Sequence, residues 1–268
     1  MKIDGKFMRD LVYGSAVGDA LGVPFEFLQR DTFECKGIVG YGTHNQPAGT
    51  WSDDTSLMIA TCESIVRNGK IDTEDMLGNF RSWLSNGSFT PFGEVFDCGN
   101  TTAEAIRSGQ GKSGEWDSGN GSLMRIAPLA ATDCTDAEIR EVSAITHATE
   151  LCMDLCVSFV HMLRDVRREP ERARSIVSDA APVLGKARDE IASSGFVQHT
   201  YDAAAWCFLT TGSYEECVLK AVNLGSDTDT TACVAGALAV ACYGFDSIPS
   251  EWVASLQAAE RLDDAICR

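Results

Sequence analysis

NLGSDTDTTACVAGALAVACYG, residues 223–244, is a run of small and apolar side chains entered through Asp227, Asp229, Thr230 and Thr231. After the acids the apolar residues return at three- and four-residue intervals, which is helical spacing, and the lack of a charged face makes this a buried helix. Residues 48–66, AGTWSDDTSLMIATCESIV, repeat the device: Ser52 stands as an N-cap, Asp53 and Asp54 fill the first turn, and an apolar helix follows. In residues 14–27, GSAVGDALGVPFEF, the side chains of Gly14, Ser15, Ala16, Gly18, Ala20 and Gly22 make a surface over which another backbone can approach closely. Asp19 and Glu26 stand out against that surface; on their own they read as a solvated acid on the helix and another in the loop after it.

Working outward, the same spacing predicts helices over 4–20, 54–68, 72–85, 135–146, 149–167, 170–192, 200–210, 214–223, 229–243 and 250–265. Alternating strand-like runs are scarce, so the expected class is all-α. The stretches 22–53 and 86–120, rich in Gly, Ser, Asn and Thr, read as loops, and loops of that length in a compact domain usually carry function. No linker, fixed-period repeat or low-complexity tract divides the chain, and a single domain over 1–268 is expected.

With 268 residues and 44% hydrophobic content the chain can fill a sizeable core. Its 22 Lys and Arg against 39 Asp and Glu leave a charge of −17, which repels phosphate backbones and anionic headgroups, so no nucleic-acid or membrane partner is expected. No apolar run approaches a membrane span, and the opening MKIDGKFMRDLVYGSAVGDALG has Asp4 and Asp10 where a signal peptide would be basic and then apolar. A cytoplasmic protein is expected. The eleven cysteines are odd in number and contain no C-x-x-C pair, which disfavours a disulfide framework or a zinc ribbon; Cys152 and Cys156 share one helix face and read as small buried hydrophobes. The basic run in DVRREPERARSIVSD, 165–179, is interleaved with acids at helical spacing and reads as a solvated face.

Two acids and two or three hydroxyls at each of two buried helix starts are more than capping requires, because crowded like charges are costly unless a cation neutralises them. If the Asp53–Asp54 and Asp227–Asp229 starts converge, a divalent-metal site follows; if they do not, they are independent caps. Oxygen donors favour Mg²⁺, Mn²⁺ or Ca²⁺ over zinc, and the four His include no pair at ligand spacing. DSGNGSLMRIAPLA, 117–130, reads as a Gly-Asn-Gly-Ser turn opening into an apolar helix, its free backbone N–H groups suited to an anion. DCGNTT, 97–102, is a second polar loop at a helix start. His147 lies between two helices, whereas His44, His161 and His199 have no obvious polar partner.

Taken in order, GDALGxPxE, GTWSDDTS, DxGNTT, GNGSLMRIAP, THAT and VNLGSDTDTTAxxAGAL resemble the ADP-ribosylglycohydrolase family, the relatives of dinitrogenase reductase activating glycohydrolase, over roughly residues 8–265. The resemblance implies a single compact multi-helix orthogonal bundle with a divalent-metal centre, usually two Mg²⁺ or Mn²⁺ ions, that hydrolyses the bond joining ADP-ribose to an acceptor. Carried over position by position, Ser52, Asp53 and Asp54 match one metal-binding triplet and Asp227, Asp229 and Thr230 the other; family members often have Thr where Ser52 stands. Glu26 matches a glutamate on a mobile loop near the metals, and His147 a histidine that contacts the substrate diphosphate. The Gly99–Thr102 loop, with Gly99, Asn100 and Thr101 as its binding candidates, and the Gly119–Arg125 turn, with Gly119, Asn120, Gly121, Ser122 and Met124, resemble the parts that cradle phosphate and ribose. Asp97 matches an acid beside the scissile bond in the nitrogenase-regulating branch.

Glycosidic cleavage through an oxocarbenium-like state needs charge stabilisation at the ribose, help for the departing acceptor, and water. Glu26, Asp53 and Asp54 are the candidates for that proton work, with Asp97 as an acceptor-side alternative. The expected partners are an ADP-ribosylated protein and the ADP-ribose product, with arginine favoured over serine, a nucleobase or a small molecule as acceptor, and a monomer as the default. A non-catalytic relative that binds ADP-ribose or serves structure is the second reading, against which the intact Asp53, Asp54, Asp227 and Asp229 argue. A third, an immunity factor that also blocks a toxin physically, would need an extended surface loop, and none stands out.

Overall fold

In the computed structural model, which describes residues 1–267, twelve α-helices follow one another: α1 (Gly5–Gly22), α2 (Asp53–Asn68), α3 (Thr73–Asn86), α4 (Asn100–Ser108), α5 (Asp136–Ala144), α6 (Glu150–Arg168), α7 (Ala173–Ala180), α8 (Val197–Leu209), α9 (Tyr214–Val222), α10 (Thr228–Tyr243), α11 (Ser250–Ser255) and α12 (Glu260–Ile266). Among the described residues, β-pairing is confined to isolated bridges such as Ile3 with Thr132 and Gly119 with Phe196. The fold is all-α, and no helix among the described residues is long and apolar enough to cross a membrane.

The pair α1 and α10 forms the centre, and glycine decides how. A Cβ on Gly14 would stand 2.9 Å from the Gly236 carbonyl oxygen, one on Gly18 2.1 Å from that of Ala232, and one on Gly22 2.3 Å from Cα of Asp229. Positions that advance along α1 meet positions that recede along α10, so the helices run antiparallel with their backbones nearly touching. Gly236 answers from the other side, where a Cβ would stand 2.1 Å from the Gly14 carbonyl oxygen. This contact carries the C-terminus of α1 to the N-terminus of α10, where Thr228 Oγ1 donates to the Gly22 carbonyl at 2.8 Å. Around the pair, buried Phe80, Trp83, Phe159 and Phe208 extend one continuous core from Phe7 to Ala265. All eleven cysteines are free, and Cys152 and Cys156 lie in that core.

Gly18→Ala should therefore lower stability by about 3 kcal/mol, because the new methyl meets helix backbone that cannot yield. For a chain of this size that is a fall in Tm of about 6–12 °C. Gly78→Ala in α3, with nothing within 4 Å of the added Cβ, should instead be neutral or slightly stabilising. Equal Tm values for the two variants in a thermal melt would show that the α1–α10 approach leaves room for a methyl group at Gly18.

Four elements differ from the sequence expectation. The stretch 86–120 contains α4, whose capping residue Gly99 has no side chain to announce it. The helix expected over 170–192 is a 3₁₀ turn, Pro170–Arg172, followed by the short α7, which stops before Pro182 because proline lacks the N–H and clashes with the preceding turn. The helix expected over 250–265 is divided into α11 and α12 around Ala258, whose φ is +47°. After Gly121 the chain makes turns and a 3₁₀ segment, Ala127–Ala131, rather than an α-helix; Pro128 sits inside it.

Candidate active site and metal centre

Trp51 is fully buried and anchors the entry to α2. Ser52 Oγ accepts from the Asp54 N–H at 3.2 Å, and the Asp19 carboxylate of α1 accepts from the N–H groups of Ser52 at 3.0 Å and Thr55 at 3.1 Å and from Thr55 Oγ1 at 2.6 Å. The N–H groups of Ser52, Asp54 and Thr55 at this helix start are thus satisfied without the carboxylates of Asp53 and Asp54. Asp19 is not solvated, as the sequence suggested, but wholly buried, and burial pushes it up to about 6 against the pull of these hydrogen bonds.

The start of α10 arrives beside the start of α2, with Thr230 Oγ1 donating to Asp54 Oδ1 at 3.3 Å. Asp227 Oδ2 accepts from Asn120 Nδ2 at 2.7 Å, and Asp229 Oδ1 accepts from the Thr230 N–H at 2.9 Å. Glu26 follows the 3₁₀ turn Val23–Phe25 that leaves α1, and the Phe27 N–H, donating to the Ser226 carbonyl at 2.7 Å, straps that corner to the approach to α10. Its carboxylate forms one cluster with Asp227 and Asp229 and another with His44 and Asp97, the oxygen and nitrogen atoms of each lying within 4.8 Å of one another. Glu26 is the hinge between the two groups.

The field at this point is strongly negative. Burial first, then the neighbouring carboxylates, hold Asp53, Asp54 and Asp229 well above the usual range for aspartate. Asp227 is also raised, chiefly by burial, while Asn120 opposes the shift. Burial lifts Glu26 to about 7, with the His44 hydrogen bond pulling down and Asp97 and Asp227 pushing up. Two oxygens, Asp54 Oδ2 and Asp227 Oδ1, are buried with no hydrogen-bond partner at all. Orphaned carboxylate oxygens are costly where no cation meets them, and the hard oxygens that converge here suit Mg²⁺, Mn²⁺ or Ca²⁺.

Above the acids opens a cleft of about 480 Å³. Glu26, Asp53, Asp54, Asp97, Asp227 and Thr230 form its acidic floor. One wall is the N-terminus of α4, where Gly99, Asn100 and Thr101 present free backbone N–H groups; the other is Gly119, Asn120, Gly121 and Met124, backed by His147. Thr101 Oγ1 donates to Asp117 Oδ1 at 3.2 Å and ties the walls together.

Three of the expected residues do not line the cleft. Ser52 is spent on its cap, and Ser122 is fully buried behind the turn, its Oγ accepting from Ser143 Oγ at 2.9 Å and 3.5 Å from Cys156 Sγ. Asp229 lies beneath the floor, in the cluster with Glu26 and Asp227. Thr102 of the expected Gly99–Thr102 loop lines the cleft too; Phe27, Cys98, Trp116 and Gly195 also line it, and sequence reasoning did not select them. Trp116, 89% exposed in a polar loop, was the one with a usable signal, since a large aromatic in such a place has no packing purpose.

The histidines read as lacking polar partners have them. His44 is hydrogen-bonded to Glu26 and packed between the rings of Phe27 and Phe96; His161 Nε2 meets Asp136 Oδ1 at 2.7 Å; His199 Nδ1 meets Ser194 Oγ at 2.7 Å. The first two pairings join segments brought together by the fold, while the third is local, within residues 194–199.

Comparison with known proteins gives a consistent picture. A sequence model of a family described as ADP-ribosylglycohydrolase matches residues 6–268. The chain is 33% identical to ADP-ribosylarginine hydrolase Tri1 of Pseudomonas putida (strain GB-1), over 91% of this chain and 72% of that protein. It is 30% identical to ADP-ribosyl-[dinitrogen reductase] glycohydrolase of Rhodospirillum rubrum, over 91% of this chain and 87% of that one. Among solved structures, one described as an ADP-ribosylglycohydrolase-related protein complex superposes with a TM-score of 0.82 at 29% identity, covering 99% of this chain and 97% of the other.

Proposed function

The chain belongs to the ADP-ribosylglycohydrolase family, and from that premise we propose that it removes ADP-ribose from arginine on an ADP-ribosylated protein, using two Mg²⁺ or Mn²⁺ ions held by Asp53, Asp54, Asp227, Asp229 and Thr230. The observation that carries the reading is the convergence of two helix starts on one floor, with Asp54 Oδ2 and Asp227 Oδ1 buried and unpartnered beneath a cleft walled by backbone N–H groups. When bound, such ions supply positive charge to the ribose hydroxyls and acidify water.

The residues of the chain divide the remaining work. The N-terminus of α4 and the Gly119–Gly121 turn receive the diphosphate, offsetting locally the repulsion expected from a chain of charge −17. Asp97 and Glu26 complement the cationic guanidinium of the acceptor. As the C–N bond at the anomeric carbon breaks, its electron pair leaves with the guanidine nitrogen and water forms the new C–O bond; Glu26 accepts the water's proton and hands it on to the departing neutral guanidine. His44 holds the Glu26 carboxylate by a hydrogen bond from its Nε2. The intact acids and the open cleft also count against a purely structural relative.

The test is release of ADP-ribose from an arginine-ADP-ribosylated protein, measured with Mg²⁺, with Mn²⁺ and with chelator in excess. Release should require the metal. Absence of release with either ion would sink the arginine assignment, and release unaffected by chelator would sink the metal centre.

A further inference from the structure

Behind the cleft wall, Arg125, Thr146 and His147 form a buried chain that the hydrolysis scheme leaves unused. Arg125 is fully buried and pairs with no carboxylate among the described residues; its guanidinium lies over the Phe80 ring, 4.7 Å from the centroid. Nη2 donates to the Val142 carbonyl at 3.0 Å and to Thr146 Oγ1 at 2.9 Å. A guanidinium can only donate, so the Thr146 oxygen accepts from it and the hydroxyl proton must find another acceptor. Thr146 is itself fully buried, and the other polar atom in contact with its hydroxyl is His147 Nδ1, at 2.9 Å. A buried hydroxyl with no acceptor is costly, so Nδ1 accepts and the single proton of the neutral ring resides on Nε2.

Nε2 makes no hydrogen bond among the described residues and lies against the glycine turn of the cleft. A Cβ on Gly119 or Gly121 would stand 3.3 Å from it, and one on Gly121 only 2.7 Å from Cε1, so the two glycines keep this edge of the ring uncovered. Burial, and after it the charge of Arg125, pushes His147 down to about 3, so the ring is neutral at pH 7.

We propose that Arg125 and Thr146 are positioning residues that lock His147 as the Nε2–H tautomer and so make it a fixed hydrogen-bond donor to an anionic phosphate oxygen seated in the Gly119–Gly121 turn. The phosphate rests on the hydrolase reading; the tautomer does not. The opposite tautomer would turn a lone pair on the phosphate and repel it.

The experiment uses ¹⁵N-histidine-labelled full-length protein at pH 7, with the His147 signal assigned by its loss in His147→Asn, and measures ADP-ribose affinity by calorimetry in Mg²⁺ on the same samples. The wild type should show a protonated Nε2 and an unprotonated Nδ1. Thr146→Val, which keeps shape and removes the hydroxyl, should shift the ring toward the Nδ1–H form and weaken ADP-ribose binding about 10- to 100-fold, the usual cost of a hydrogen bond to a charged group. Thr146→Ser should restore both. A wild-type ring that is Nδ1–H or doubly protonated overturns the proposal, as does a Thr146→Val spectrum identical to wild type or an affinity that does not follow the tautomer. A wild type with the expected spectrum that fails to bind ADP-ribose upholds the relay and removes the hydrolase reading instead.

Discussion

Asp54→Asn should leave the helices intact and reduce turnover by about 10³-fold or more. Charge stabilisation by a metal in such a site is worth several kcal/mol, and each ~1.4 kcal/mol is a factor of ten in rate. The fold does not need this carboxylate: Ser52 and Asp19 satisfy the start of α2, and an asparagine carbonyl can still accept from Thr230 Oγ1. Without metal the variant should be at least as stable as the wild type, because one of several crowded buried charges has gone. Circular dichroism, a thermal melt and the ADP-ribose release assay on one preparation decide the matter. A variant that unfolds would show that Asp54 serves structure, and one with wild-type turnover would remove it from the metal centre.

Chelation should lower the melting temperature, and the gap between metal-replete and chelated protein should widen from pH 5 to pH 8. The sign follows from the floor of the cleft. Glu26, raised to about 7, and Asp19, raised to about 6, bind protons more tightly in the folded chain than in the unfolded one, and Asp53, Asp54 and Asp229 shift the same way. Their contribution to stability is fully present below the unfolded carboxyl values near pH 4 and is lost as pH rises through the folded ones. In metal-free protein that loss spans about pH 4 to pH 7 and continues above it through the aspartates raised further. A divalent ion reverses the penalty by meeting the ionised oxygens, and at a hundredfold excess over its Kd it adds about 2.7 kcal/mol. For this size of chain the expected rise in Tm at pH 8 is about 5–10 °C. Identical melts with Mg²⁺, Mn²⁺ and chelator at pH 8 would show that no ion binds this floor.

Helical spacing located most of the elements because amphipathic and small-residue periodicity is a local property. It failed where a local cue was missing or overruled. Gly99 caps α4 with no side chain to mark it, and the spacing runs on through Pro182 although the backbone cannot. The acids of the two helix starts were likewise legible, since two like charges at each of two apolar helices ask for a reason.

What the sequence by itself determined is therefore the all-α class, the glycine surface of α1 and the supply of oxygen donors at Asp53, Asp54, Asp227 and Asp229. Only the tertiary structure decided what each polar group does. Asp19 and Asp54 both look like acids near a helix end, yet one is consumed by hydrogen bonds to α2 and the other keeps a bare buried oxygen. Ser122 sits one residue beyond Gly121 and faces away from the cleft, while His44 reaches Glu26 across 18 residues. Hydrogen bonds and charges act over a few ångströms in space, and distance along the chain carries no information about that once α1 and α10 have closed on each other.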